Sequence, residues 1–334
     1  MIITRAPYRI SFFGGGTDYP EWFSKNGGSF LSLSINKYAY IALRVKPAFV
    51  EKRYRVSWRL QEDVTEIGKI KHPIVRESLL HHGFNDGLDI TYLGDLPSGT
   101  GLGSSSAFTV ALNHALLTSI GKNSNAKDLS SLAYFIERDK LKEVIGIQDQ
   151  IATAYGGFNK VQINKDASYE LSKITMSAED EQEFVNRCVL VFTGINRRAS
   201  SIAEQKVKNF DNKSEILKKM TQKVNDAYEI IKQQDYISFG KLLHENWLLK
   251  KSLSNVISNT RIDEMYDFAI ENGAKGGKLL GAGSGGFLLF FCDSVLNKNK
   301  LQSKFSESEI VNFEISKSGS EIILNDKCEK NELL

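Results

Sequence analysis

The chain has 334 residues, 41% hydrophobic and 25% charged, with a formal net charge of +3. That length suffices for one large or two ordinary domains with a sizeable core, and the charge is too small to point to nucleic acid. Cys188, Cys292 and Cys328 show neither a disulfide framework nor zinc spacing, and no signal-peptide core or membrane-length apolar run is visible, so a cytoplasmic setting is expected and a membrane partner is not.

Residues 2–13 alternate apolar side chains up to Gly14-Gly15-Gly16, the pattern of a strand entering a turn. Alternation returns over 30–45, enough for one or two strands, and over 54–60. Residues 74–82 have helical periodicity, and 88–93 read as a short strand. That strand enters a loop, Leu96 to Ser106, where glycine recurs at alternate positions; small and apolar residues then follow at helical spacing over 104–117. Further helices are expected over about 128–143 and 148–155, the second stopped by Gly156-Gly157. Short strands or loops follow from 157, then a buried strand over 188–193. Residues 202–250 carry one long, charged, proline-free helical pattern, and 260–272 another helix. A glycine run over 276–286 leads into a strand at 287–292, and a helix near 297–305 and strands near 311–315 and 321–324 complete the pattern. Residues 328–334 are polar and expected to fray. The first half is β-rich and then helical, and the second reads β–α–α–β–α–β. This order implies an α+β protein of two domains, with a boundary near 160–187.

Three glycine-rich segments carry the candidate chemistry. In the loop before residue 104, glycines let backbone N–H groups approach a ligand, and the helix behind adds unpaired donors and the positive end of its dipole. This makes a phosphate cradle, although no lysine follows as in a Walker A loop. A serine hydroxyl at the helix start suits Mg²⁺, a hard ion that prefers oxygen. The bland alternatives are a linker or an N-cap cluster, and the order of loop then helix favours the anion site. The second segment sets Arg9 before the Gly14-Gly15-Gly16 turn and Asp18 after it. Alone, it reads equally well as a surface turn with an ion pair. The third, Gly281 to Gly286, matches G-x-G-x-x-G, but a strand follows where the dinucleotide fingerprint needs a helix. Among the carboxylates, Asp149 lies between Ile147 and Ile151, and an acid in an apolar setting is either paired or functional. Glu137 by itself reads as a solvated helix face. The five histidines show no metal spacing.

Pro97 to Ser105 (P-x-G-x-G-L-G-S-S), Arg5 to Ile10 (R-A-P-x-R-I) before a glycine turn, and a late G-A-G-S-G-G before a strand resemble the three motifs of the GHMP kinases, in order. Gly14 to Pro20 and Thr193 to Ser200 are most similar to the heptose 7-phosphate kinases. The fucokinase domain shares much of this pattern. Galactokinases share less, having a Glu-His pair where this chain has Gly15-Gly16.

The resemblance implies an α+β, two-domain GHMP kinase fold. A ribosomal protein S5 domain 2-like N-terminal domain would span 1–170, and a ferredoxin-like C-terminal domain 185–330. It implies an ATP- and Mg²⁺-dependent sugar-phosphate kinase acting on the anomeric C1 hydroxyl of D-glycero-D-manno-heptose 7-phosphate. The product would be the 1,7-bisphosphate used for nucleotide-activated heptose (GDP-heptose) and surface polysaccharide. By position, Ser98, Gly99, Thr100, Gly101, Leu102, Gly103, Ser104, Ser105 and Ser106 would wrap the ATP phosphates. Ser105 and Glu137 would hold Mg²⁺. Asp149 would be the catalytic acid–base residue, with Arg9 facing it, although one more residue separates Glu137 from Asp149 than in mevalonate kinase. Gly15, Gly16, Thr17 and Asp18 would meet the sugar, and Gly283, Ser284 and Gly285 would close over the acceptor. For the substrate's 7-phosphate, Arg197 and Arg198 are the first candidates, with Lys37 and Arg44 behind them; a solvated basic turn is the alternative. The expected partners are a sugar phosphate and ATP, with no nucleic acid; the oligomeric state, a dimer included, stays open. Another sugar kinase and a non-catalytic ligand sensor on the same fold are the competing readings.

Overall fold

In the computed structural model, which describes residues 1–47, 49–50, 53–195 and 200–326, the alternating segments assemble into two sheets. Strand β1 (Ile2–Phe13) runs into helix α1 (Pro20–Asn26) and then β2 (Gly28–Val45). The 30–45 alternation is thus part of a single 18-residue strand. Proline cannot donate to a ladder, and the β1–β2 register shifts at Pro7/Tyr8. Strands β3 (Tyr54–Ser57) and β4 (Gln61–Val64) form a hairpin, followed by α2 (Pro73–His82) and β5 (Leu88–Gly94). Helix α3 (Ser104–Ser119) is apolar on nearly every side because it is a core helix: Ala107, Val110, Ala111, Leu112 and Ala115 are all fully buried. The Thr4 hydroxyl of β1 donates to Ala111 O at 2.7 Å, tying this helix to the sheet.

Helix α4 (Ala126–Tyr134) starts in a capping box at Asn125 and Asp128. It does not continue to 143 but widens into a π-helical turn over Phe135–Lys140. Helix α5 (Gln148–Tyr155), β6 (Phe158–Ile163) and β7 (Tyr169–Lys173) complete the N-terminal half. After α6 (Ala178–Val185) come β8 (Cys188–Phe192), α7 (Ser200–Lys208), α8 (Ser214–Lys232), α9 (Tyr236–Lys251) and α10 (Thr260–Glu271). The expected single helix over 202–250 is therefore three. The break before α9 is made by Gln234 in the left-handed region at φ 57° and by Asp235, whose side chain accepts from Ser238 N and caps α9.

Strands β9 (Ala274–Leu279) and β10 (Phe287–Cys292) are antiparallel neighbours. Gly276 and Gly277 therefore lie inside a strand, and the 281–286 loop joins two strands rather than a helix and a strand. Helix α11 (Val295–Gln302) precedes β11 (Glu321–Asn325). The second sheet has the order β8-β10-β9, and an isolated bridge from Ile310 to Val191 adds a fourth position beside β8, giving the ferredoxin-like strand order. The 311–315 segment forms no ladder. β11 leaves the second half altogether and pairs with β1 at the edge of the first sheet, whose order is β11-β1-β2-β5-β3-β4 with β6 and β7 beside the start of β2. The chain is α+β, built around these two sheets.

Candidate active site

The C-terminal end of β1, the start of α3, the start of α5 and the β9–β10 loop surround one cavity of about 190 Å³. Gly99, Gly101 and Gly103, all with φ between 72° and 85°, line it. Gly101 shows why glycine is required: besides its φ of 85°, an added Cβ would lie 2.6 Å from Leu280 O. Gly103 is the N-cap of the 16-residue α3, and no side chain caps that end. Ser104, Ser105 and Ser106 line the cavity, so the α3 terminus, with its first-turn N–H groups and the positive end of its dipole, lies at the cavity and suits an anion. Thr100 and Leu102 are fully buried, and the Thr100 hydroxyl donates to Pro97 O at 2.9 Å; these two contribute backbone rather than side chain. Ser98 is not among the lining residues.

Arg9, only 4% exposed, reaches Asp149 with a bidentate pair: Nε to Oδ1 at 2.9 Å and Nη2 to Oδ2 at 2.7 Å. Its Nη1 donates to Gly101 O at 2.7 Å, and its backbone N–H to Leu102 O at 3.0 Å. One guanidinium thus fixes the carboxylate and the glycine loop together. Asp149 is in the first turn of α5 and keeps about a third of its side chain open to the cavity.

Glu137 sits in the π-helical turn and is buried. Its Oε1 accepts from Ser105 Oγ and Thr109 Oγ1, and its Oε2 from Ser106 Oγ, each at 3.0 Å; Gln150 Nε2 adds a fourth donor on Oε2. Burial pushes the carboxyl up to about 7, with the Glu143 charge adding to this and the hydroxyl and amide donors opposing it. Gln150 Oε1 is buried with no hydrogen-bond partner. Ser105 Oγ, the Glu137 carboxylate and Gln150 Oε1 are hard oxygens beside the anion cradle, and this donor set fits Mg²⁺. Among the described residues no three His, Cys, Asp or Glu side chains form a metal cluster, and Mg²⁺ needs only one or two carboxylates beside substrate phosphates.

Gly15, Gly16 and Asp18 also line the cavity. Asp18 Oδ1 accepts Gly16 N–H at 2.9 Å, and its backbone carbonyl accepts Ile147 N–H at 3.0 Å. Thr17 does not face the cavity: it is fully buried, and its hydroxyl donates to Gly14 O at 2.9 Å and Ser29 O at 2.7 Å. The third glycine segment also differs from expectation. Gly281 and Ala282 line the cavity, whereas Gly283, Ser284 and Gly285 do not. They pack on the backbone of Ile257 and Ile195, with Ser284 N donating to Ile257 O at 2.8 Å. Phe287 N donates to Thr100 O at 3.0 Å, so this hairpin is fastened to the glycine loop of residues 99–103 through main chain.

Arg197 and Arg198 lie outside the described residues. Lys37 lines a separate groove with Asn186 and Lys298, and Arg44 pairs with Asp89 at 2.7 Å, so neither reaches this cavity. Sequence reasoning missed Lys250, Ser11, Gln148, Glu143 and Gln150 as lining residues. Lys250, 3% exposed, donates to Leu279 O at 2.8 Å and Gly281 O at 2.7 Å. Nothing in a charged, helical sequence distinguishes a lysine that turns inward. For Gln148 and Gln150 the signal was their place on either side of Asp149.

Two family models match the chain: the GHMP kinases N terminal domain over residues 70–157 and the GHMP kinases C terminal domain over 227–310. The chain is 29% identical to D-glycero-alpha-D-manno-heptose 7-phosphate kinase of Campylobacter jejuni, over 95% of this chain and 97% of that protein. It is 24% identical to galactokinase of Thermotoga petrophila, over 98% and 99%. The bifunctional fucokinase/GDP-fucose pyrophosphorylase of Arabidopsis thaliana is 24% identical over 90% of this chain but only 31% of that protein. Among solved structures, a D-glycero-D-manno-heptose 1-phosphate kinase from Bacteroides thetaiotaomicron superposes with a TM-score of 0.79 at 23% identity, covering 96% of this chain and 98% of that one. Galactokinase of Lactococcus lactis, complexed with galactose, gives 0.74 at 19% identity, covering 96% and 94%. The glycine cradle, the paired arginine and carboxylate, and both halves of the chain agree with these matches: the chain belongs to the GHMP kinase family, phosphotransferases with an alcohol group as acceptor.

Proposed function

We propose that this kinase transfers the γ-phosphoryl group of ATP to the anomeric C1 hydroxyl of D-glycero-D-manno-heptose 7-phosphate, giving the 1,7-bisphosphate for nucleotide-activated heptose and surface polysaccharide. The observation that carries the reading is the bidentate Arg9–Asp149 pair beside the glycine loop, with Asp149 open to the cavity. Phosphoryl transfer asks for positioning and charge neutralisation more than covalent chemistry. The loop N–H groups and the α3 terminus would bind the transferring phosphate oxygens. Ser105 and Glu137 would hold Mg²⁺, which when bound supplies further neutralisation of the phosphate charge.

Asp149 would orient the acceptor hydroxyl and take its proton, and Arg9 would hold that carboxylate in place and offset its charge as the oxyanion develops. Asp18 would accept hydrogen bonds from sugar hydroxyls, with Gly15 and Gly16 leaving room for a longer, phosphorylated sugar. Arg197 and Arg198 remain the candidates for the 7-phosphate. The 1–170 and 185–330 halves would each contribute one wall, with β11 belonging to the first.

The supporting relative is the heptose 7-phosphate kinase of C. jejuni, which matches this chain nearly end to end. A fucokinase-like activity is the second reading, favoured by the fucokinase match over 90% of this chain. ADP release measured with ATP, Mg²⁺ and a panel of heptose 7-phosphate, fucose and galactose separates the two. Phosphorus NMR of the product then identifies the phosphorylated carbon. Turnover confined to heptose 7-phosphate with a new C1 phosphate supports the first; turnover confined to free fucose overturns it.

A further inference from the structure

The segment from 141 to 147 connects the π-helical turn that carries Glu137 to the helix that carries Asp149, so its path spans the site. Lys142 in it adopts φ 59°, the left-handed region, which residues with a side chain rarely occupy. The next residue, Glu143, lines the cavity together with Val144, Ile145 and Gly146. The Glu143 backbone is well held: its N–H donates to Glu137 O at 3.1 Å, and its carbonyl accepts from Arg138 Nη1 at 3.4 Å. Its carboxylate is different. Among the described residues it has no hydrogen bond and no ion pair, although it is half-buried. A half-buried carboxylate without a partner carries a desolvation cost that a bound ligand can remove. The same segment is pressed against Asp18: Ile147 N donates to Asp18 O, and there is no space for a Cβ at Gly146 beside the Asp18 carboxylate. Glu143 and Asp18 thus both line the cavity, on a segment and a turn that touch each other, with the Glu143 charge also felt by Glu137.

We propose that Glu143 is a specificity-determining residue that accepts hydrogen bonds from hydroxyls of the sugar acceptor, a second carboxylate beside Asp18. An ionised carboxylate has only acceptor sites, so it reads donors and rejects anions. The ligand groups it meets are neutral polyol hydroxyls, and the acceptor's own phosphate must lie elsewhere. Glu143 acts on binding and orientation, not on the phosphoryl group. This inference rests on the sugar-kinase reading above but not on which sugar is accepted.

Steady-state kinetics of the full-length enzyme, Glu143→Ala and Glu143→Gln test it, with the sugar and Mg²⁺ varied separately on the acceptor that the panel identifies. Losing hydrogen bonds to a charged acceptor predicts a sugar KM about tenfold higher for Glu143→Ala, with kcat within about threefold and half-saturating Mg²⁺ moving less than the sugar KM, since the Glu143 charge is felt by Glu137. Glu143→Gln, which retains an acceptor oxygen and the side-chain shape, recovers part of the affinity and controls for a folding defect in the alanine variant. An unchanged sugar KM in both variants overturns the proposal, as does a change confined to the Mg²⁺ titration, which would assign Glu143 to the cation instead. Wild-type turnover of a sugar other than heptose 7-phosphate overturns the heptose reading alone, and the same KM comparison on that sugar still decides the role of Glu143.

Discussion

His72 shows how a single side chain sets a pH limit on this molecule. Its ring lies 4.6 Å from that of Trp58 and 4.7 Å from that of Phe108, and its Nδ1 is buried with no partner. Burial lowers its pKa from 6.5 to about 4; the Glu62 charge opposes the shift and the Arg59 charge adds to it. The fold therefore favours neutral imidazole. The associated stability is fully present above the ordinary value and is lost as pH falls through about 4. Melting temperatures between pH 7 and pH 4 should fall less for His72→Phe, which keeps the aromatic packing, than for the wild type; parallel curves would contradict the assignment. At this scale much of the site was legible in the sequence. Arg9, Asp18, Glu137 and Asp149 stand in motifs with characteristic neighbours, and the structure places all four at or just behind one cavity. What could not be read was direction. Thr17 lies between lining residues and points inward, and Lys250 sits in a polar helix yet is buried against carbonyls.

At the level of elements, the two glycine segments around Gly101 and Gly286 touch through main chain. Gly101→Ala would force a φ of 85° on a residue with a Cβ and set that atom 2.6 Å from Leu280 O. We expect a stability loss of about 1–3 kcal/mol and weaker ATP binding, measured by denaturant unfolding and by titration of the nucleotide. Unchanged values for both would show that the loop does not depend on the contact. Elements were legible where their punctuation was local: alternation gave β1 and β2, and a glycine stop gave the end of α5. The three helices in place of one over 202–250 were hidden because no proline or glycine marks the joint; Gln234 makes it with an unfavoured backbone angle. The π-helical turn was equally hidden, since one additional residue per turn leaves no compositional trace. It offers a place for the additional residue between Glu137 and Asp149 that the resemblance implies.

Across the whole molecule, the two sheets are coupled by buried charges and by the return of the chain. Lys278, in the second sheet and 1% exposed, donates to Phe12 O of the first at 2.9 Å. β11 carries the C-terminal part of the chain back to β1. Phe184, Phe239 and Phe291 pack edge-on or tilted with Phe12, directly or through one another, so the apolar core is continuous across the boundary. Unfolding in urea should therefore be a single transition. Lys278→Met, which removes the shorter of two hydrogen bonds on Phe12 O and leaves only Asn246 Nδ2 at 3.5 Å, should lower the unfolding free energy by about 1–3 kcal/mol with little change in slope. Two separate transitions in the wild type would contradict this coupling. The long-range pairing of β11 with β1 was not legible, because its alternation is compatible with either sheet.

The glycine loop, the oxygens of Ser105, Glu137 and Gln150 and the Arg9–Asp149 pair meet at one cavity, and the proposed function stands on Asp149 acting directly on the acceptor. The decisive measurement is ADP release by Asp149→Asn under saturating ATP, Mg²⁺ and sugar acceptor, beside its melting temperature. A fall in kcat of about 10²-fold or more with a melting temperature close to that of the wild type is the expected result. Near-normal turnover in a folded Asp149→Asn enzyme would contradict it.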